Sequence, residues 1–239
     1  NCDWSSDVCS SDLNVEQSNK IAPTLEQEKR DWDHLVDLTR EAAAGRPGVI
    51  VWPETIVPAA LNPEALEFYR TTDSFLRGDD YYQQKISELA DELNVTLVVG
   101  AAGNDKWEWV KYTKKNGEII WYPFPTLRWN SAYVFLPDGR QVPERYSKIH
   151  RVPFGEYLPW VDLVPGLREL FFKLFAPEQY QHDYTLQQGT DYRLFELDHY
   201  DPGKPPRPDA VRFGTPICFE DAYAYVCRRI IYSKIGTKQ

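Results

Sequence analysis

The sequence predicts an α/β fold, on three observations. Segments with a helical apolar stripe alternate with short apolar runs over the first hundred residues. Those runs are apolar on both faces, as strands between helix layers are. Beyond residue 105, Asn-Gly and Pro-Asp-Gly turn signals separate runs rich in aromatic and β-branched residues, which predicts antiparallel hairpins.

Thr24 to Ala44 reads as the first helix. Thr24 and Gln27 make a capping box, Trp32, Leu35, Val36, Thr39 and Ala43 share one face, and Gly45 suits the C-terminal cap. GVIVWPE follows as a strand that Pro53 ends. Asp79 to Leu93 is the second helix, with Tyr82, Ile86, Leu89, Ala90 and Leu93 on its inner stripe and Asn94 as its cap. TLVVGAAG is a second buried strand. WEWVKY and EIIWYP flank KKNG as a hairpin turning at Asn116-Gly117, and NSAYVFLPDGRQV repeats the pattern around Pro137-Asp138-Gly139. RYSKIHRVPFGEYLPW is irregular, because its Pro and Gly break either regular structure. Residues 160–190 form an aromatic, weakly helical insert. DYRLFELD is a strand, DPGKPPRPD a loop, and VRFGTPI a strand leading to Cys218. From Glu220 to Ile235, Tyr223, Val226, Cys227, Ile230 and Ile231 mark one helical face. No repeat, low-complexity tract or second domain is apparent.

The N-terminus stands apart from this pattern. DWSSDVCSSDL at residues 3–13 matches, residue for residue, one reading frame of a common short-read sequencing adapter. It lacks the basic start and apolar core of a signal peptide. Residues 1–13 are therefore expected to be a non-native scar, and residues 14–239, in a chain without any Met, a partial domain cut from a longer reading frame. Setting the scar aside removes three aspartates from a formal charge of −9, and removes Cys2 and Cys9. The remaining mild acidity argues against a nucleic-acid partner. Cys218 and Cys227 make neither a disulfide framework nor a zinc pattern, and the four histidines lack metal-ligand spacing. No apolar run of about 18 residues occurs, so no membrane span is expected within the piece.

Three segments carry chemistry. Cys218 ends a strand and begins a helix, where the positive helix end would lower its pKa and favour thiolate; an ordinary core cysteine is the competing reading, and one that suits Cys227. Glu54 follows a buried strand directly, in VWPE, as either a desolvated base with a raised pKa or a solvated acid at a helix start. Lys148 lies in a loop rich in rings and prolines, where a fixed ammonium can stabilise an oxyanion and Glu156 can hold it; the alternative is a pair of solvated loop charges.

Glu, Lys and Cys in that order resemble the nitrilase superfamily of carbon–nitrogen hydrolases. The finer resemblance is to its apolipoprotein N-acyltransferase branch: KIHRVPFGEYLP resembles that branch's lysine loop, ICFED its cysteine elbow, and NVEQSNK the end of its first strand. The resemblance implies an α-β-β-α sandwich of nitrilase type, incomplete at both ends. It implies Glu54 as base, Lys148 as the charge stabiliser and Cys218 as nucleophile, with Glu156 and Glu220 supporting. No metal or organic cofactor is expected. The implied reaction passes an acyl chain from a phospholipid donor through a Cys218 thioester to the amine of a diacylglyceryl-cysteine on an apolipoprotein. The implied setting is the bacterial inner membrane, with the catalytic domain on the periplasmic side. The apolar insert, including Trp160, Phe171 and Phe172, is then a lipid-facing arm; a helix packed on the core is the alternative. Ile21 stands where some relatives carry a functional tryptophan, and Arg151 where an apolar residue is usual. The missing strands predict that the 239-residue piece alone is unstable or inactive. A soluble amidase using the same three residues is the rival enzyme, and a non-catalytic binding domain the rival class.

Overall fold

The computed structural model describes residues 25–72, 80–113, 117–160, 185–197, 199–201 and 210–233, together with Leu167 and Leu170. The helices are α1 (Leu25–Ala43), α2 (Pro63–Thr71) and α3 (Tyr81–Leu93). The strands that follow and separate them are β1 (Val49–Val51), β2 (Val57–Ala60), β3 (Thr96–Thr113), β4 (Ile119–Phe135) and β5 (Tyr146–Ser147). The chain continues through β6 (Phe195–Glu196), β7 (Arg212–Phe213), a 3-10 turn at Cys218–Ala222 and α4 (Ala224–Ile231).

Five strands make one mixed sheet. β1 and β2 both run parallel to β3, at successive positions along it, and β3, β4 and β5 are antiparallel. The side-chain alternation of β3 divides the core. Leu97 and Val99, with Ile50, Tyr133 and Phe135, face a helix layer made of Trp32 and Leu35 of α1, Tyr69 of α2 and Ile86 and Leu89 of α3. Val98, Ala132 and Val134 face the other way, against Tyr146, Phe195, Ile217 and the Val226–Ile230 stripe of α4. A strand buried on both faces needs cover on both, and here helices cover one and the β6–β7 pair with α4 covers the other. The predicted α/β sandwich is the observed architecture.

The individual elements follow the sequence with four differences. Helix α1 buries Thr39, whose hydroxyl donates to the Leu35 carbonyl at 2.7 Å and accepts from the Trp52 indole at 3.0 Å, tying helix to sheet. Its expected cap residue Thr24, like Ile21, lies outside the described residues. Asn94 caps α3 in the left-handed region, φ 48°, as its type favours. The first difference is β3, which runs unbroken through TLVVGAAG into WEWVKY, because the hairpin continues the sheet instead of starting a new one. The second is β2 with α2, which the sequence reading passed over; Pro63 sits at the helix start where its missing N–H costs nothing. The third is the pair of strands before Cys218: DYRLFELD and VRFGTPI shrink to Phe195–Glu196 and Arg212–Phe213, because among the described residues each pairs only with the other. The fourth is the last helix, which starts at Ala224 instead of Glu220. On it Val226 and Ile230 are buried while Ile231 is exposed, and Tyr223, just before it, is partly exposed beside the His150 ring at 3.7 Å.

The break between β1 and β2 positions the site. Trp52 N–H donates to the Val98 carbonyl at 2.8 Å and Ile56 N–H to the Gly100 carbonyl at 3.1 Å, so Pro53–Thr55 bulges out between two points pinned to β3. It presses onto Gly100: a Cβ there would meet the Pro53 carbonyl oxygen at 2.3 Å and Glu54 Cα at 2.8 Å. Only glycine permits that approach. Gly100→Ala is expected to cost about 1–3 kcal/mol, because the obstruction is backbone on both sides. Urea unfolding followed by tryptophan fluorescence measures this; an unchanged midpoint would mean that residues 53–55 move aside freely.

Candidate active site

Glu54, Asn130, Thr215 and Cys218 line one cavity of about 230 Å³, and the Lys148 ammonium lies 3.5 Å from Glu54. Glu54 enters from the bulge after β1, Asn130 from the middle of β4, Lys148 from just after β5, and Cys218 from the turn before α4. The Glu54, Lys148 and Cys218 named from the sequence are thus brought together, although 94 and 70 positions separate them along the chain.

Lys148 is almost wholly buried, at 2% exposure, and its charge is paired on two sides. Its Nζ donates to Glu156 Oε1 at 2.6 Å and lies 3.5 Å from Glu54 Oε1. Burial works against the ammonium, but the Glu156 hydrogen bond and the charges of Glu54 and Glu156 outweigh it and hold its pKa above the ordinary lysine value. The backbone fixes the residue too, since its N–H donates to the Asn130 carbonyl and its own carbonyl accepts from Gly189, both at 2.8 Å. Glu156 is oriented by the Val152 N–H, 2.9 Å from its other oxygen.

Glu220 is fully buried and accepts four hydrogen bonds: from Tyr146 Oη at 2.9 Å, Ile149 N–H at 2.7 Å, His150 N–H at 2.8 Å and Ile217 N–H at 2.9 Å. Three of these donors flank Lys148 and the fourth precedes Cys218. One carboxylate therefore clamps the lysine loop to the cysteine turn. Burial, then the nearby Glu220 charge and its hydrogen bond, push the Tyr146 phenol pKa far up, so the hydroxyl stays a donor.

Cys218 is exposed and sits in the left-handed backbone region, φ 56°. A non-glycine residue there is strained, and the Glu220 clamp on either side of it holds the strain. The expected helix-end lowering of its pKa is overturned. Desolvation first, then the negative Glu54 opposite, push the thiol pKa up, against smaller favourable contributions from the Phe219 N–H and Lys148. The reason is geometric: α4 begins only at Ala224, and a single 3-10 turn intervenes. The resting group is a thiol with a carboxylate facing it.

Sequence reasoning missed Asn130. Its Nδ2 donates to Glu54 Oε1 in a short contact, and its Oδ1, like Thr215 Oγ1, is buried with no hydrogen-bond partner. The signal available was a lone Asn entering the apolar run NSAYVF, which is too common to single out. Trp160 is 72% exposed, and Phe171 and Phe172 lie outside the described residues. Arg151 donates to the Leu186 carbonyl at 2.6 Å and lies over the Tyr157 ring, so it ties the lysine loop to the segment at 185–189.

The carbon–nitrogen hydrolase family profile matches residues 17–235. Apolipoprotein N-acyltransferase 1 of Treponema denticola is 26% identical over 217 residues, covering 89% of this chain and 35% of that protein. The apolipoprotein N-acyltransferase of Geobacter metallireducens is 32% identical over 159 residues, covering 66% and 24%. The chain thus spans about a third or less of the length of these relatives. Among solved structures, a carbon–nitrogen hydrolase from Helicobacter pylori aligns with TM-score 0.32 and 21% identity, over 53% of this chain and 36% of that one.

Two outcomes are expected from this geometry. In peptide-resolved iodoacetamide labelling across pH, the Cys218 midpoint lies above the ordinary thiol value. It falls in Glu54→Gln, which removes a facing negative charge, and rises in Lys148→Met, which removes a positive one. A midpoint indifferent to both would contradict the proximity described. Glu220→Gln turns amide hydrogens toward buried donors and is expected to cost on the order of 3 kcal/mol in unfolding free energy, against about 1–2 kcal/mol for Tyr146→Phe.

Proposed function

Since this chain belongs to the carbon–nitrogen hydrolase family, we propose that it carries the catalytic site of a cysteine acyltransferase acting on lipoproteins. The observation that carries the reading is the buried Lys148 ammonium held between Glu54 and Glu156, with Glu54 facing the Cys218 thiol. The names of its relatives supply the acceptor class.

The reaction runs in two halves. A phospholipid acyl ester enters the cavity, Glu54 takes the Cys218 proton, and Sγ attacks the ester carbonyl. Lys148 offsets the negative charge that develops on the carbonyl oxygen. The C–O bond breaks, the lysophospholipid alkoxide takes the proton back from Glu54, and a thioester remains. The uncharged α-amine of a diacylglyceryl-cysteine then attacks the thioester. Glu54 accepts the amine proton, the C–S bond breaks, and the thiolate recovers its proton. A raised thiol pKa fits this cycle, because the proton is available to shuttle instead of being lost at rest.

Glu156 and Glu220 act through others in this scheme, the first by holding the Lys148 ammonium and the second by clamping the two loops. The proposal includes a setting: the bacterial inner membrane, the site on its periplasmic side, with the remainder of a longer protein supplying the membrane spans and residues 1–13 foreign to it. Exposed Phe154, Trp160 and Leu170 around the lysine loop and the following insert support a lipid-facing approach.

The test is the thioester itself. With a radiolabelled-acyl phospholipid, the complete protein is expected to form a hydroxylamine-sensitive labelled species that Cys218→Ala abolishes and Cys227→Ala retains. A Cys218→Ala variant that still labels would sink the mechanism. Hydrolysis of simple carboxamides without any labelling would point to an amidase.

A further inference from the structure

Lys148 and Glu156 stand eight positions apart in a loop that forms neither helix nor strand, yet their charges meet at 2.6 Å. Between Val152 and Tyr157 the backbone bonds of that loop are local. Phe154 N–H donates to the Tyr157 carbonyl, and the N–H groups of Gly155 and Glu156 donate to the Val152 carbonyl. None of these bonds reaches the sheet. The backbone of Glu156 is tied to it by a separate segment, residues 185–189.

That segment bonds three different places within four residues. Leu186 N–H donates to the Glu156 carbonyl at 2.7 Å, Gln187 N–H to the Arg128 carbonyl of β4 at 2.6 Å, and Gly189 N–H to the Lys148 carbonyl at 2.8 Å. Arg151 completes the tie from the loop side, its guanidinium donating to the Leu186 carbonyl at 2.6 Å. The segment thus joins the lysine, the acid paired with it and the long strand beside both. Gly189 is buried, and its approach is closer than that of Gly100: a Cβ there would meet the Ser147 carbonyl oxygen at 1.9 Å and its carbon at 2.6 Å. Both atoms are backbone of the residue before Lys148, so neither can swing away. Ser147 is itself paired with Ser131 on β4, so any added bulk displaces residues 185–189 and not the strand.

This placement matters because the Lys148 ammonium must stand where an oxyanion forms, while it also bonds Glu156 and lies 3.5 Å from Glu54. We infer that residues 185–189 are a strap that positions the Lys148–Glu156 pair for catalysis, with Gly189 and Arg151 as its positioning residues. Gly189 acts by letting the strap lie against Ser147, and Arg151 by holding the strap to the loop. Both act through Lys148. The inference rests on the acyl-transfer reading only for the step that the lysine serves.

The test uses the complete protein. Gly189→Ala pushes the strap back by about 1 Å, a misplacement that costs an enzyme about a hundredfold in rate. Thioester formation from a radiolabelled-acyl phospholipid is expected to slow about a hundredfold, with the donor KM unchanged. Arg151→Leu introduces no such clash and is expected to slow the same step about tenfold, the effect of one lost charge-assisted hydrogen bond. It keeps the inference testable if Gly189→Ala folds poorly. Iodoacetamide labelling then locates the effect. Each variant is expected to raise the Cys218 labelling midpoint in the same direction as Lys148→Met, and to leave it unchanged where Lys148→Met is already present. An equal midpoint shift with and without Lys148, or a rate loss confined to KM, would overturn the inference. The labelling comparison needs no acyl transfer. A protein that forms no thioester would therefore overturn the acyl-transfer reading alone, while the midpoints still decide whether the strap holds Lys148.

Discussion

A buried carboxylate that must be satisfied organises this molecule. Glu220 has no access to solvent, and all four of its bonds come from donors 3 to 74 positions away. Leaving any of those donors unpaired in the interior is costly, so the lysine loop and the cysteine turn adopt positions that meet one carboxylate. Lys148 and Cys218 inherit their placement from that requirement. The strained backbone of Cys218 persists for the same reason.

The electrostatics of the site follow from burial combined with charge order. Two carboxylates flank one ammonium, and the thiol faces the more exposed of the two. An excess negative charge beside a partly desolvated sulfur disfavours thiolate at rest. The arrangement therefore suits a nucleophile that loses its proton only as it attacks, with the same carboxylate returning the proton later. This differs from cysteines activated by a helix end, and the late start of α4 explains why.

The sheet supplies the precision. Gly100 and Asn130 sit on the two central, long strands, β3 and β4, whose pairing keeps one register from Leu97–Phe135 to Thr113–Ile119, interrupted at Lys106. One accepts the bulge that carries Glu54, and the other bonds both Glu54 and the Lys148 backbone. Loops carry the reactive groups; those of Glu54 and Lys148 are pinned to this pair of strands, and the Cys218 turn is tied to the lysine loop through Glu220.

Local pattern was enough to read the α/β class, the first helix, the Asn94 cap, the turn at Pro137–Gly139 and the three segments bearing Glu54, Lys148 and Cys218. These follow from periodicity, turn chemistry and motif, all of which act over a few residues. Partners distant in sequence were not legible: Asn130 against Glu54, and Tyr146 and the loop amides against Glu220. The direction of the Cys218 pKa belongs with them, because it depends on what lies across the cavity and how far the next helix stands. The sequence by itself determined which residue types could react; only the tertiary structure decided their charges and neighbours, since desolvation and Coulomb interactions depend on distances the chain sets by folding.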